Sequence, residues 1–288
     1  MYKTFNLRLK KHHKFGTIYS SPHSGSNYPK AFIKNSNLDL TELRCSEDAF
    51  VGQLFEVSAK YNSAFIEAVF SRCFIDLNRS HLELDPKLVT GEFKFDSTPR
   101  NFAGLGVIHR LSSRGNSISK TSITFNEAQE RLRKFYFPYH NGLTRLITAA
   151  KCSTGHAILF DCHSMPSSFR SLEGSEHKTN NKDVILGDVN GVSCDSQLTE
   201  MAKDTFERHG FSVKLNQPFA GGFITKNYGK PERNIHALQI EINRGLYMNE
   251  DRIEPNRNFN SFKKTLAKII RELSSLTISN KLLRVAAE

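Results

Sequence analysis

Short apolar runs of strand length alternate with helical apolar stripes along most of this chain. Each apolar face needs a partner layer, so the alternation predicts an α/β architecture with a mixed, largely parallel sheet and right-handed crossovers. Strand-like runs cover 15–19, 64–70, 73–77, 156–160, 183–186, 211–215 and 235–242. A helix is expected over 46–61, with Ser46 as cap, Glu47 and Asp48 in the positive first turn, and Phe50, Val51, Leu54 and Phe55 as its apolar stripe. The longest helical stretch is 126–150, which Pro138 should kink or divide. Asp195 is a cap for a helix ending at Arg208, with Gly210 just beyond, and 259–276 reads as a closing amphipathic helix. Residues 80–122 are polar and aperiodic, more consistent with a functional loop or excursion than with a linker. Neither an internal repeat nor a low-complexity tract occurs.

Charge narrows the choice of partner. The formal net charge is +11, yet 39–250 holds 25 residues of each sign. The excess therefore sits at the ends: 1–38 has seven Lys/Arg and no acid, and 251–288 has eight against four. Basic ends can contact an anionic partner or simply be solvated. The middle lacks a Lys/Arg stripe interleaved with stacking aromatics, so nucleic acid is not an expected ligand. Apolar runs fall short of the ~18 residues of a membrane helix, and the charged start lacks a secretory apolar core. Five scattered cysteines (Cys45, Cys73, Cys152, Cys162 and Cys194) without a C-x-x-C suit reduced thiols and a cytoplasmic location.

Polar residues cluster where ligands sit in α/β sheets, beyond the carboxyl ends of strands. His23 lies in the turn-rich Ser21-Pro-His-Ser-Gly-Ser-Asn-Tyr-Pro29. Asp161 and His163 follow the 156–160 run; His163 can bind zinc, and Asp161 can set its tautomer from behind. Glu241 lies in an apolar strand, where a carboxylate needs a partner such as Arg244 or a catalytic task. Arg79, directly after an apolar stretch, suits either bidentate carboxylate binding or a surface ion pair. Two His, several carboxylates and an Arg together suggest a hydrolytic zinc site, with three protein ligands, an open position and a nearby Glu as general base. A Ser-His-Asp hydrolase is disfavoured because G-x-S-x-G is absent.

The sequence resembles the N-formylglutamate amidohydrolases. The resemblance rests on 21–29, Ser46-Glu-Asp-Ala-Phe50, Asp76-Leu-Asn-Arg79, Tyr136-Phe-Pro-Tyr-His140, Asp161-Cys-His-Ser164, 216–225 and His236-Ala-Leu-Gln-Ile-Glu-Ile-Asn-Arg-Gly-Leu-Tyr-Met248, in the family's order over roughly 15–250. It implies a single three-layer α/β/α domain similar to the zinc carboxypeptidases and aspartoacylase, a phosphorylase/hydrolase-like arrangement. Basic extensions at 1–14 and 277–288 would flank that domain. It implies one zinc per chain and hydrolysis of an N-formyl amino acid to formate and the free amino acid.

In that resemblance His23 and His163 match the metal-binding histidines, Glu241 the general base, and Asn78 and Arg79 the substrate-carboxylate motif. The related H-x-x-E signature is missing, because position 26 is Ser. The third ligand must therefore come from elsewhere, and Asp48 is the choice, although it also suits the first turn of a helix. Gly221 and Gly222 are expected to let backbone approach a ligand or to make an ordinary turn. Lys226, Tyr228 and Arg244 are further contacts for a dicarboxylic substrate. The expected substrate is N-formyl-L-glutamate. The alternatives are another N-acyl amino acid or short peptide, or a non-catalytic binder of an anionic partner.

Overall fold

The structure, a computed structural model, describes residues 3–10, 14–170, 176–178 and 182–277. Its main sheet contains β1 (Phe5–Arg8), β2 (Thr17–Ser21), β3 (Ser63–Ala68), β4 (Ala157–Met165), β5 (Val184–Gly187), β6 (Val213–Leu215) and β7 (Ile235–Asn243). The spatial order is β1-β3-β2-β4-β7-β5-β6. Strands β3, β2, β4 and β7 run parallel side by side. Strand β1 pairs antiparallel with β3, β5 antiparallel with β7, and β6 parallel with β5. The helices that pack on the sheet or support the site include α1 (Val51–Phe55), α2 (Phe125–Arg131), α3 (Phe137–Thr154), α4 (Ser196–Arg208), α5 (Phe223–Tyr228) and α6 (Phe259–Leu273).

Side chains alternate across a strand with a period of two, so each central strand feeds two cores. Ile18, Ile66, Leu159 and Ala237 pack with Leu143 and Ile147 of α3 on one face. Tyr19, Phe65, Phe160 and Ile240 pack with Leu54, Ala202, Leu266 and Ile270 on the other. The result is a three-layer α/β/α domain. Strands β4 and β7 are buried along nearly their whole length, which explains their continuous apolar character.

Several sequence expectations shift. Strand β4 runs on to Met165, so Asp161 and His163 are strand residues rather than residues after one. The 73–77 run forms turns instead of a strand; Phe74 N and Ile75 N both donate to the Ser71 carbonyl. The 46–61 helix begins only at Val51, and Ser46 Oγ accepts from Ser113 N at 3.0 Å instead of capping it. Glu47 and Asp48 are buried rather than placed in a solvated first turn. Residues 5–8, assigned to a basic extension, form edge strand β1. The C-terminal extension beyond Thr277 lies outside the described residues. The 126–150 stretch is divided by a π-helical turn at Leu132–Tyr136, and Pro138 opens α3, where its missing N–H costs nothing. Asp195 caps α4 by accepting from Gln197 N.

Helix α3 buttresses the 76–79 segment. Tyr136 Oη donates to the Arg79 carbonyl at 2.7 Å, and His140 Nε2 donates to the Leu77 carbonyl at 3.0 Å. The neutral His140 ring then presents Nδ1 as an acceptor, 2.8 Å from the Tyr228 hydroxyl. Burial pushes the His140 pKa from 6.5 down to about 4. Between those values the unfolded chain binds a proton that the folded chain excludes, so stability falls as pH drops through that window. The loss attributable to this residue should approach roughly 3 kcal/mol at the acid end. Denaturant unfolding of wild type and His140→Gln at pH 7 to 4.5 checks this: the variant should be less stable at pH 7 yet have a shallower pH slope. Equal slopes would remove His140 as the cause.

Candidate active site

The carboxyl ends of β2, β4 and β7 lie together, and the loops after β2 and β3 close over them. The loop after β2 is seated tightly: a Cβ at Gly25 would fall within 2.8 Å of the Phe70 backbone N, C and O. That seat holds His23, which is 3 % exposed. Its carbonyl accepts from Asp48 N at 3.1 Å, so the two loops are joined. Asp48 itself is presented by a turn that ends at Phe50, a non-glycine residue with φ of 67°. This left-handed conformation is costly for a bulky residue and persists because the surroundings impose it.

One carboxylate oxygen organises the centre. Asp48 Oδ2 lies 2.9 Å from His163 Nδ1 and 3.5 Å from His23 Nδ1. Among the described residues, these three side chains form the group able to hold a metal, with ligand atoms within 4.8 Å of one another. The opposite ring nitrogens are held by other carboxylates. His23 Nε2 lies 2.7 Å from Asp76 Oδ1, and His163 Nε2 lies 3.0 Å from Asp161 Oδ2. Such outer partners fix ring orientation and tautomer. They turn both Nδ1 atoms toward the shared oxygen, and His23 Nδ1 is left buried without a hydrogen-bond partner.

The surrounding charges are dense. Burial opposes ionisation of Asp48, yet the bond from His163 and the nearby imidazole of His23 hold its carboxyl well below the usual range. Burial would lower His163, but Asp161 and Asp48 outweigh it and raise the imidazole well above its ordinary value. Asp76 accepts from Arg72 Nη2 at 2.8 Å and Nε at 3.2 Å, from His109 Nε2 at 2.9 Å and from Asn78 N at 2.8 Å. Asp161 accepts from Ser20 Oγ at 3.4 Å and Asn78 Nδ2 at 3.3 Å.

Glu241 stands opposite His163 in the β4–β7 ladder. Gln239 Nε2 donates to Glu241 Oε1 at 2.8 Å. Burial pushes the Glu241 carboxyl up to about 7, opposed by the His163 charge and helped by Asp48.

His23, Asp48, His163, Gln239 and Glu241 line one cleft of about 1040 Å³, which also takes in Asn78, Arg79, Gly221, Gly222 and Arg244. Arg79 is largely buried, with Nε donating to the Leu105 carbonyl at 2.9 Å and Nη1 to the Asn78 carbonyl at 2.8 Å. Arg244 donates to Asp48 Oδ1 at 3.0 Å, the Glu47 carbonyl at 2.7 Å and Ser164 Oγ at 3.1 Å. Gly222 makes room for Asn78, since a Cβ would lie within 2.7 Å of three Asn78 side-chain atoms. Gly221 adopts φ of 137°, a conformation L side chains avoid. Lys226 and Tyr228 do not line the cleft. Sequence reasoning thus names the side chains around the centre, with Asp76 in the Asp76-Leu-Asn-Arg79 run, but passes over Arg72, His109 and Gln239 as members of the site. For Gln239 a signal exists: it sits two residues before Glu241 and so shares its strand face.

The sequence model of the family described as FGase, N-formylglutamate amidohydrolase, matches residues 15–248. The chain belongs to the N-formylglutamate amidohydrolase family. It is 29 % identical over 236 residues to an N-formylglutamate deformylase of Pseudomonas putida, covering 81 % of this chain and 82 % of that protein. It is 27 % identical over 242 residues to an N-formylglutamate deformylase of Pseudomonas aeruginosa, with the same coverage of 81 % and 82 %. The crystal structure of N-formylglutamate amidohydrolase from Ralstonia eutropha JMP134 superposes with a TM-score of 0.86 at 28 % identity, over 94 % of this chain and 97 % of that one. Every residue named at the centre falls inside the span matched by this amidohydrolase family.

Asp76 receives hydrogen bonds from four residues while fully buried. Asp76→Asn keeps the shape but leaves Arg72 without its anion. It should lower the unfolding free energy by roughly 3–5 kcal/mol, as for other broken buried pairs, in denaturant titrations. A change below about 1 kcal/mol would show that its charge does not hold the segment.

Proposed function

We propose that this chain is a zinc-dependent amidohydrolase that converts N-formyl-L-glutamate to formate and glutamate. The observation that carries the reading is the convergence of His23 Nδ1, His163 Nδ1 and Asp48 beside Glu241. The names of the two Pseudomonas relatives supply the substrate.

The residues present fit a metal. His23 Nδ1 is buried and unpartnered, and two imidazoles with one carboxylate are a donor set that catalytic zinc sites use. His23, Asp48 and His163 would hold the ion, and Asp161 would orient His163. When bound, such an ion polarises a carbonyl and acidifies water. Glu241 would take the proton of the attacking water and return it to the departing amine nitrogen. Gln239 holds one oxygen of Glu241, which keeps the other directed to its task. Arg79 would hold the substrate α-carboxylate, supported by the Asn78 wall and by the Gly221–Gly222 backbone. Arg244 clamps Asp48 and completes the same wall. The domain is read as one catalytic unit acting on a small molecule, without nucleic acid or membrane. Its five free thiols accord with a cytoplasmic setting.

Two measurements test this. Purified protein should retain close to one equivalent of divalent metal and release formate from N-formylglutamate. His23→Ala, His163→Ala and Asp48→Asn should each lose the metal and the activity together. Full metal retention in Asp48→Asn would transfer the third ligand position to another residue.

The second measurement separates base from ligand. Glu241→Gln retains size but loses the basic oxygen, so kcat should fall by at least ~100-fold while metal content is unchanged. Loss of metal alongside activity would make Glu241 a ligand. Near wild-type kcat would leave it as a buried structural acid.

A further inference from the structure

Six arginines line the cleft: Arg44, Arg72, Arg79, Arg100, Arg114 and Arg244. Four are engaged by the protein. Arg72 pairs with Asp76, Arg244 with Asp48, and Arg44 with Glu47 at 3.3 Å, while Arg79 donates to two carbonyls. Arg100 and Arg114 differ. Both are exposed, and among the described residues neither side chain has a hydrogen bond or ion pair.

Both stand on braced backbone at the cleft wall. Arg100 belongs to the short helix Pro99–Phe102, capped by Thr98. Its carbonyl accepts from Leu105 N at 2.9 Å, and the Leu105 carbonyl in turn accepts from Arg79 Nε. Arg114 lies in a turn closed by Gly115 N donating to the Ser112 carbonyl at 2.9 Å. That turn is tied to the Asp48 loop: Ser113 N donates to Ser46 Oγ at 3.0 Å, and Ser113 Oγ to the Cys45 carbonyl at 3.2 Å. The charge of Arg100 reaches Arg79 and, after burial and Arg72, disfavours its ionisation; that of Arg114, with Arg244, is felt at Cys45. These are uncompensated cations facing a shared space, which an incoming anion relieves.

The other cations at the centre cannot easily take a second carboxylate. Arg244 is committed to Asp48, Glu47 and Ser164, and the Tyr228 hydroxyl faces His140 outside the cleft. We propose that Arg100 and Arg114 are the specificity-determining pair that recognises the side-chain carboxylate of an N-acyl acidic amino acid. This rests on the hydrolase reading above and adds to it the groups that distinguish an acidic substrate from its neutral isostere.

The test compares N-formyl-L-glutamate with N-formyl-L-glutamine, which differ only by carboxylate against amide. The readout is the ratio of their kcat/KM values in the metal-loaded enzyme, for wild type, Arg100→Gln, Arg114→Gln and the double variant. Wild type should prefer the glutamate compound, and the double variant should lose at least ~10-fold of that ratio, the scale of one charge-assisted hydrogen bond. Because both side chains are exposed, the melting temperature should be unchanged and foldedness is not in question. Repeating the assay near 1 M salt, where the Debye length is about 3 Å, separates contact from long-range steering.

A double variant that keeps the wild-type ratio overturns the inference while leaving the hydrolase reading intact. So does a loss of ratio that disappears in high salt, or a wild type that hydrolyses both compounds equally. A metal-loaded wild type that releases no formate from either compound overturns the hydrolase reading itself and the inference with it.

Discussion

Three carboxylates buried at the carboxyl edge of the sheet set the terms for everything around them. Asp48, Asp76 and Asp161 are each no more than 2 % exposed. A buried anion without partners costs several kcal/mol, more than most single contacts contribute. Each is therefore surrounded by donors drawn from distant parts of the chain. Asp48 gathers the two histidines and Arg244; Asp76 gathers Arg72, His109 and His23; Asp161 gathers Ser20, Asn78 and His163. The loops after β2 and β3, the excursion and the end of β7 are held to one another by these bonds.

The same arrangement separates structural charge from available charge. The outer carboxylates occupy one nitrogen of each imidazole, so the other nitrogen remains for the centre. Arg72 and Arg244 neutralise acids, and Arg79 is pinned by carbonyls while still facing the cleft. Among the described residues Glu241 is in no ion pair, and burial raises its pKa against the charges of His163 and Arg244. A carboxyl with that environment is suited to proton transfer near neutral pH. Of the cleft arginines, the two without an acid among the described residues, Arg100 and Arg114, lie on the polar excursion.

Much of the architecture was legible because periodicity reports local burial. The runs that became β4, β7, α4 and α6 are unambiguous in their apolar spacing. The reading stumbled where polar residues replaced regular structure for the sake of the site. Ser46-Glu-Asp48 has the composition of a helix start, yet the chain turns Glu47 and Asp48 inward and delays α1 to Val51. Residues 73–77 are apolar enough for a strand but form turns that bring Asp76 and Arg79 beneath the cleft. In β4 the polar Asp161 and His163 look like strand-ending residues, whereas ladder pairing with β7 carries the strand through them.

Sequence by itself determined the layered α/β class, the family, and the residue types at the candidate centre: two histidines, an apolar-strand glutamate and an Asp-Leu-Asn-Arg run. Those features depend on local spacing and side-chain chemistry, which a linear chain displays. Tertiary structure alone decided which nitrogen of each histidine faces Asp48, which carboxylate stands behind each ring, and which arginines remain without an acid. Those outcomes depend on distances between segments as much as 196 positions apart, as with Asp48 and Arg244. Only strand order and register bring such segments together.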